Sequence, residues 1–124
     1  MRTLSAALFA LLLGGVHAKA ENTVKQYRAY LASPDQAVVN GIKIYVQGLA
    51  EGIQAASVAT QKQLYCPPKG VPLAMNNYVD ILDRQIRKAA ISMPQAQLES
   101  TWVVVLLLEG LQQTFPCGPD KSQQ

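Results

Sequence analysis

The two cysteines of this chain constrain its fold more than any other feature. Cys66 lies in Tyr65-Cys66-Pro67-Pro68, and Cys117 ends Phe115-Pro116-Cys117 near the carboxyl terminus. In an exported chain an even pair is most simply one disulfide, and a loop of this length would add about 4 kcal/mol of stability. Free thiols or a redox-active bond are the alternative, which no Cys-x-x-Cys spacing favours.

The first twenty residues have the composition of a secretory signal peptide. Arg2 precedes an apolar run over 4–13 that is too short to cross a bilayer. We expect cleavage after Ala20, with Ala18 as a second acceptable site and an uncleaved signal anchor as the alternative. Cleavage leaves one domain over 21–117, followed by a polar tail over 118–124 that we expect to be disordered. No membrane segment is expected after cleavage.

Helical periodicity predicts an all-α fold, a small bundle of about four helices stapled by one disulfide. The helices are expected over 22–32, 33–61, 73–90 and 92–115, the second and fourth opened by Ser-x-x-Gln start signals at Ser33 and Ser92. In the fourth we expect Trp102 and Val105 on the core face, with Leu98, Leu106 and Leu111. A buried strand over 102–108 is the alternative, because seven consecutive residues there are apolar.

Two faces of the predicted helices are candidates for contacts. Gly41, Gly48 and Gly52 share one side of the second helix, and this predicts that another element packs very close there. A frayed or kinked helix is the alternative. On the third helix, Arg84, Arg87 and Lys88 form a candidate partner-binding patch, with a solvated face as the alternative.

Residue types used in catalysis are scarce. The single histidine, His17, leaves with the signal peptide, so no imidazole remains for a catalytic triad or for most catalytic zinc sites. Asp80 and Asp83 each precede an arginine by four residues and are expected to form exposed ion pairs. The nine basic and eight acidic residues that remain include no basic cluster suited to nucleic acid. We therefore expect a binding protein with no cofactor or metal, not an enzyme.

Three segments match a known pattern. An aromatic-Val-x-Gly segment with a nearby acid is followed by an aromatic-Cys-Pro-Pro turn and by an apolar helix that leads into Phe-Pro-Cys. These segments are Tyr45-Val46-Gln47-Gly48-Leu49-Ala50-Glu51, Tyr65-Cys66-Pro67-Pro68, and Leu106 to Leu111 with Phe115-Pro116-Cys117. Over about 36–117 the chain resembles the Rap/Tai family of type VI secretion immunity proteins, small exported helical proteins that protect bacteria from peptidoglycan amidase toxins.

The resemblance implies a periplasmic protein that binds a cognate amidase effector and blocks its active site sterically. A homodimer is also implied. Candidate contacts are the loop residues Tyr65, Pro68, Lys69 and Val71, which we expect to be exposed beside the basic patch. The alternative is that the loop only shapes the turn around Cys66. A general periplasmic chaperone or stress protein is the alternative function, and an enzyme acting on cell-wall material is a more distant one.

Overall fold

The computed structural model describes residues 22–119, and that part of the chain contains five α-helices. They are α1 (Val24–Leu31), α2 (Gln36–Ala59), α3 (Met75–Ser92), α4 (Gln95–Ser100) and α5 (Val103–Thr114). The predicted all-α fold is confirmed, and so is the disulfide, since Cys66 and Cys117 are joined at 2.07 Å. The predicted signal peptide and most of the predicted tail lie outside the described residues.

Helix α3 lies at the centre of the bundle and packs against both α2 and α5. Its core residues Leu82 and Ile86 are almost fully buried, as are Leu107 and Leu111 of α5. Removing each such side chain from water contributes roughly 1.5–3 kcal/mol, so this contact is the main apolar support of the fold.

Helix α2 begins and ends differently from the prediction. Its N-cap is Asp35, whose carboxylate accepts a hydrogen bond from the Ala37 amide at 2.8 Å, so Ser33 is not the cap. At the other end Gln61 has a φ of 54°, and the Lys62 amide donates to the Ser57 carbonyl at 3.1 Å. This is a Schellman ending in which glutamine takes the left-handed position that usually holds glycine.

The predicted fourth helix is broken into α4 and α5 by two extended residues, Thr101 and Trp102. The Thr101 carbonyl accepts from the Val24 amide, and the Val103 amide donates to the Asn22 carbonyl, both at 2.9 Å. The Thr101 carbonyl and the Val103 amide are therefore hydrogen bonded to the start of the described chain, and not within one continuous helix. Ser92 is the last residue of α3 and caps no helix, so the predicted helix start at Ser92 was also wrong.

The break changes which side chains reach the core. Trp102 and Val105 are 50% and 44% exposed, so their predicted place on the core face was wrong. The buried alternative, a strand over 102–108, is also absent, because this stretch is helical from Val103 onward.

The predicted close packing at Gly41, Gly48 and Gly52 is not found. All three are exposed on α2, and a methyl group added at any of them would meet nothing within 4 Å. The close approach is made instead by Gly110 of α5, where a Cβ atom would lie 2.8 Å from the Ile81 Cγ2 atom of α3.

Candidate functional site

A cleft of about 330 Å³ lies where the loop after Cys66 crosses between α2 and α3; we call it the aromatic cleft. It combines aromatic, proline and aliphatic side chains with one carboxylate and one amide. Its lining residues are Glu51, Gln54, Tyr65, Pro67, Pro68, Val71, Leu73 and Tyr78. A small, mostly apolar concavity with a few polar groups is the usual form of a recognition site.

Two buried tyrosines form one wall of this cleft. Tyr65 is 2% and Tyr78 9% exposed, and each hydroxyl lies close enough to shift the pKa of the other. Burial raises the pKa of Tyr65 to about 12, with a further contribution from the neighbouring Tyr78 hydroxyl. Burial also raises the pKa of Tyr78; the Tyr65 hydroxyl lowers it, and the Glu51 carboxylate raises it. Both hydroxyls are therefore neutral donors and acceptors at ordinary pH.

Glu51 supplies the only formal charge among the residues that line the aromatic cleft. It is exposed, and its Oε1 atom accepts a hydrogen bond from the Gln47 Nε2 atom at 2.8 Å. This bond to a neutral amide one turn earlier fixes the side chain without neutralising it. The cleft therefore has a negative mouth above apolar walls.

Gln54 lines the cleft one turn after Glu51, and its Oε1 atom is buried without a hydrogen-bond partner. Among the described residues it is the one buried side-chain oxygen or nitrogen in this state. An unsatisfied buried acceptor typically costs about 1–3 kcal/mol. Buried acceptors of this kind are uncommon in folded proteins, so the Gln54 amide is a candidate to accept a hydrogen bond from a bound group.

A second, larger groove lies on the other side of Gln54, and we call it the disulfide groove. Its volume is about 940 Å³, and both Cys66 and Cys117 line it. Among the described residues that line it, Lys62 and Lys69 are charged and none is acidic. Two adjoining concavities of opposite charge thus flank the loop.

The loop residues that the sequence predicts to contact a partner are divided between the aromatic cleft and the disulfide groove. Pro68 and Val71 line the aromatic cleft and are exposed, whereas Lys69 lines the disulfide groove. Tyr65 is a core residue whose ring lies 6.4 Å from that of Phe115, so its expected exposure was wrong. It supports the cleft from below.

The basic patch lies elsewhere. Arg84 and Lys88 line a groove between α3 and α5, where their side chains donate to Thr114 Oγ1 at 3.4 Å and to Gln113 Oε1 at 2.6 Å. They follow Tyr78 by about 9 and 15 Å along the helix axis, so the structure does not unite them with the loop. Arg87 is exposed on α3.

The predicted ion pairs of α3 are not formed. Asp83 accepts a hydrogen bond from the Tyr27 hydroxyl at 2.8 Å, and Arg84 contacts α5 instead of Asp80. Tertiary partners thus replace the expected i to i+4 partners.

Glu51 was visible in the sequence only as the acid of the family pattern, and Gln54 gave no signal. Helical spacing on the third helix predicts that Tyr78 faces inward, and Tyr78 is buried, but nothing in the sequence indicated that it would meet Tyr65.

In 22–119 no group of three or more histidine, cysteine, aspartate or glutamate side chains is arranged to hold a metal ion. Over the same residues no helix is both long enough and apolar enough to span a membrane.

Comparison with known proteins gives no match: no family model, curated protein or solved structure is similar to this chain at a significant level.

Proposed function

We propose that this chain is a periplasmic immunity-type protein that binds a peptidoglycan amidase effector of type VI secretion. It blocks the effector by covering the active site, without chemistry of its own. The observation that carries the proposal is the meeting of two segments of the family pattern. Glu51 ends the first segment, and Tyr65, Pro67 and Pro68 belong to the second; all four line the aromatic cleft.

The rigidity of this end of the molecule supports a binding role. The disulfide joins the loop to the end of α5, and beside it the Cys66 amide donates to the Phe115 carbonyl at 2.9 Å. A surface held in its bound conformation loses little entropy on association. Occlusion of an enzyme active site needs such a preorganised surface.

Direct titration of the amidase tests this proposal. The purified, oxidised protein is titrated calorimetrically with a panel of type VI amidase effectors. We expect saturable binding to one amidase at a fixed stoichiometric ratio. Absence of binding to every amidase tested would contradict the proposal.

A general chaperone is the second candidate, because several large aliphatic side chains are exposed. Ile91, Val58 and Ile44 are 87%, 70% and 63% exposed. They are spread over α2 and the end of α3, and isolated exposed aliphatic residues are common in monomeric proteins. Suppression of the aggregation of unrelated unfolded proteins, without saturable amidase binding, would favour this candidate.

A further inference from the structure

The aromatic cleft has a negative mouth, apolar walls and a volume of about 330 Å³. We propose that it binds the side chain of an arginine or lysine presented by the protein partner. This inference rests on the proposed function in so far as the partner is a protein, and it specifies what that partner must present.

The negative charge of the cleft favours a partner side chain that ends in a cationic group. Glu51 is the only charged residue in the lining, and its observed hydrogen bond is to the neutral Gln47 amide. No lysine or arginine of the described residues lies within ion-pair distance of it. A carboxylate has about four lone-pair sites, so most of its accepting capacity is open to an incoming cation. An acidic side chain would be repelled here.

The apolar walls of the cleft favour a partner side chain with a long aliphatic portion. Pro67, Pro68 and Leu73 are apolar, and Tyr78 adds an aromatic ring. Lysine and arginine bury their methylene groups along apolar surface while the charged head keeps polar partners. Arginine also stacks on aromatic rings. An aliphatic side chain would pack against the walls but would offer the Glu51 carboxylate no donor beyond the bond that it already accepts from Gln47.

Gln54 offers a second acceptor. Its Oε1 atom has no hydrogen bond in the free protein, and the residue borders the cleft one turn from Glu51. The terminal torsion of a glutamine side chain is soft, so a small rotation brings this oxygen to an incoming N–H donor. Binding of a guanidinium or ammonium group would then remove the cost of the orphaned acceptor.

The charges that line the disulfide groove restrict the proposed cation site to the aromatic cleft. Among its described lining residues the disulfide groove has Lys62 and Lys69 and no acid, so these residues offer a cationic side chain no charged partner. The two sides of the loop therefore distinguish partner residues by charge.

A nuclear magnetic resonance titration tests the inference without the amidase. The oxidised, isotope-labelled protein is titrated with N-acetyl-arginine methylamide, with the neutral citrulline analogue of the same shape, and with the norleucine analogue. We expect saturable shifts at Gln54, Val71 and Tyr78 with the arginine probe, and at least about fivefold weaker binding of the two neutral probes. Equal binding of all three probes, or no saturable shift with arginine, would overturn the proposal.

Two glutamates make a matched pair of variants. Glu99 accepts from the Gln95 amide four residues earlier at 2.9 Å, as Glu51 accepts from Gln47 at 2.8 Å, but Glu99 does not line the cleft. Glu51→Gln should weaken the arginine probe by about fivefold, and Glu99→Gln should leave its affinity unchanged. An equal effect of the two substitutions would show that the charge of the cleft is not what binds the probe.

The outcomes separate this inference from the proposed function. Arginine binding that depends on Glu51, without binding of any amidase, would retain the cationic site and reject the immunity role. Tight amidase binding that is indifferent to Glu51→Gln would retain the immunity role and reject the cationic site.

Discussion

At the scale of single residues, three buried tyrosines carry hydroxyl groups that are harder to ionise in the folded protein. The Tyr27 hydroxyl of α1 donates to Asp83 of α3 at 2.8 Å, and Tyr65 and Tyr78 line the aromatic cleft. Burial raises the pKa of all three, and for Tyr27 the Asp83 carboxylate raises it further. Each hydroxyl therefore stays protonated to a higher pH in the folded protein than in the unfolded chain.

These raised pKa values predict loss of stability in alkali. Between the unfolded pKa of about 10 and the folded pKa of Tyr65 of about 12, the unfolded chain releases protons that the folded chain retains. The free energy of unfolding should therefore be constant up to about pH 9 and then fall by about 1.4 kcal/mol per pH unit for each retained proton. Urea unfolding curves measured from pH 8 to 11 would show this slope.

Tyr27→Phe is the informative variant in this series, because its ring is buried and its hydroxyl bonds to a carboxylate. Removing the hydroxyl removes one retained proton, so the alkaline slope should flatten. A slope that is unchanged in this variant, or a stability that rises above pH 10, would contradict the assignment.

At the scale of the helices, glycine has opposite roles in α2 and α5. Gly48 lies on an open face of α2, whereas Gly110 lets α5 approach α3 closely. Gly48→Ala should stabilise the fold by about 0.5–1 kcal/mol through helix propensity. Gly110→Ala should destabilise it by about 1–3 kcal/mol, because the new methyl group would overlap Ile81. Thermal or urea unfolding of both variants measures the difference.

The sign of each change decides between the two roles. Gly41→Ala and Gly52→Ala serve as controls, because their surroundings are as open as those of Gly48. A loss of stability at Gly48 in the monomeric protein, or a gain at Gly110, would contradict the packing described for α2 and α5.

This contrast also shows how far the sequence predicts the elements. Periodicity located every helical stretch, since apolar spacing reflects the buried face directly. It did not locate the break at Thr101, because that break depends on hydrogen bonds with Asn22 and Val24, almost 80 residues away in the chain. Nor could a helical pattern distinguish Gly110 from Gly48, because the difference lies in the neighbouring helix.

The sequence likewise predicted only part of the candidate site. The family pattern drew attention to the loop and to Glu51, which do line one cleft. The burial of Tyr65, the orphaned Gln54 oxygen and the separation of Lys69 from Val71 follow from how α2, α3 and the loop pack. Those relations are properties of the fold and leave no local signal in the sequence.

At the scale of the whole molecule, the disulfide closes a loop of 51 positions that contains α3, α4 and α5. The chain-entropy model assigns such a bond about 4 kcal/mol, a large share of the 5–15 kcal/mol typical of a domain. The double variant Cys66→Ser with Cys117→Ser should therefore lose about 4 kcal/mol of unfolding free energy. Urea unfolding of this variant beside the oxidised protein measures the loss, and a loss below about 1 kcal/mol would contradict this role for the bond.

The central claim is that the aromatic cleft and its loop block an amidase, and residual amidase activity during titration with the oxidised protein tests it most directly. Val71 and Val105 provide a matched pair, exposed by 59% and 44%, of which only Val71 lines the cleft. We predict that activity falls to zero at a fixed stoichiometric ratio, that Val71→Asp relieves inhibition and that Val105→Asp does not. Full amidase activity at excess wild-type protein, or equal loss of inhibition in both variants, would contradict the account.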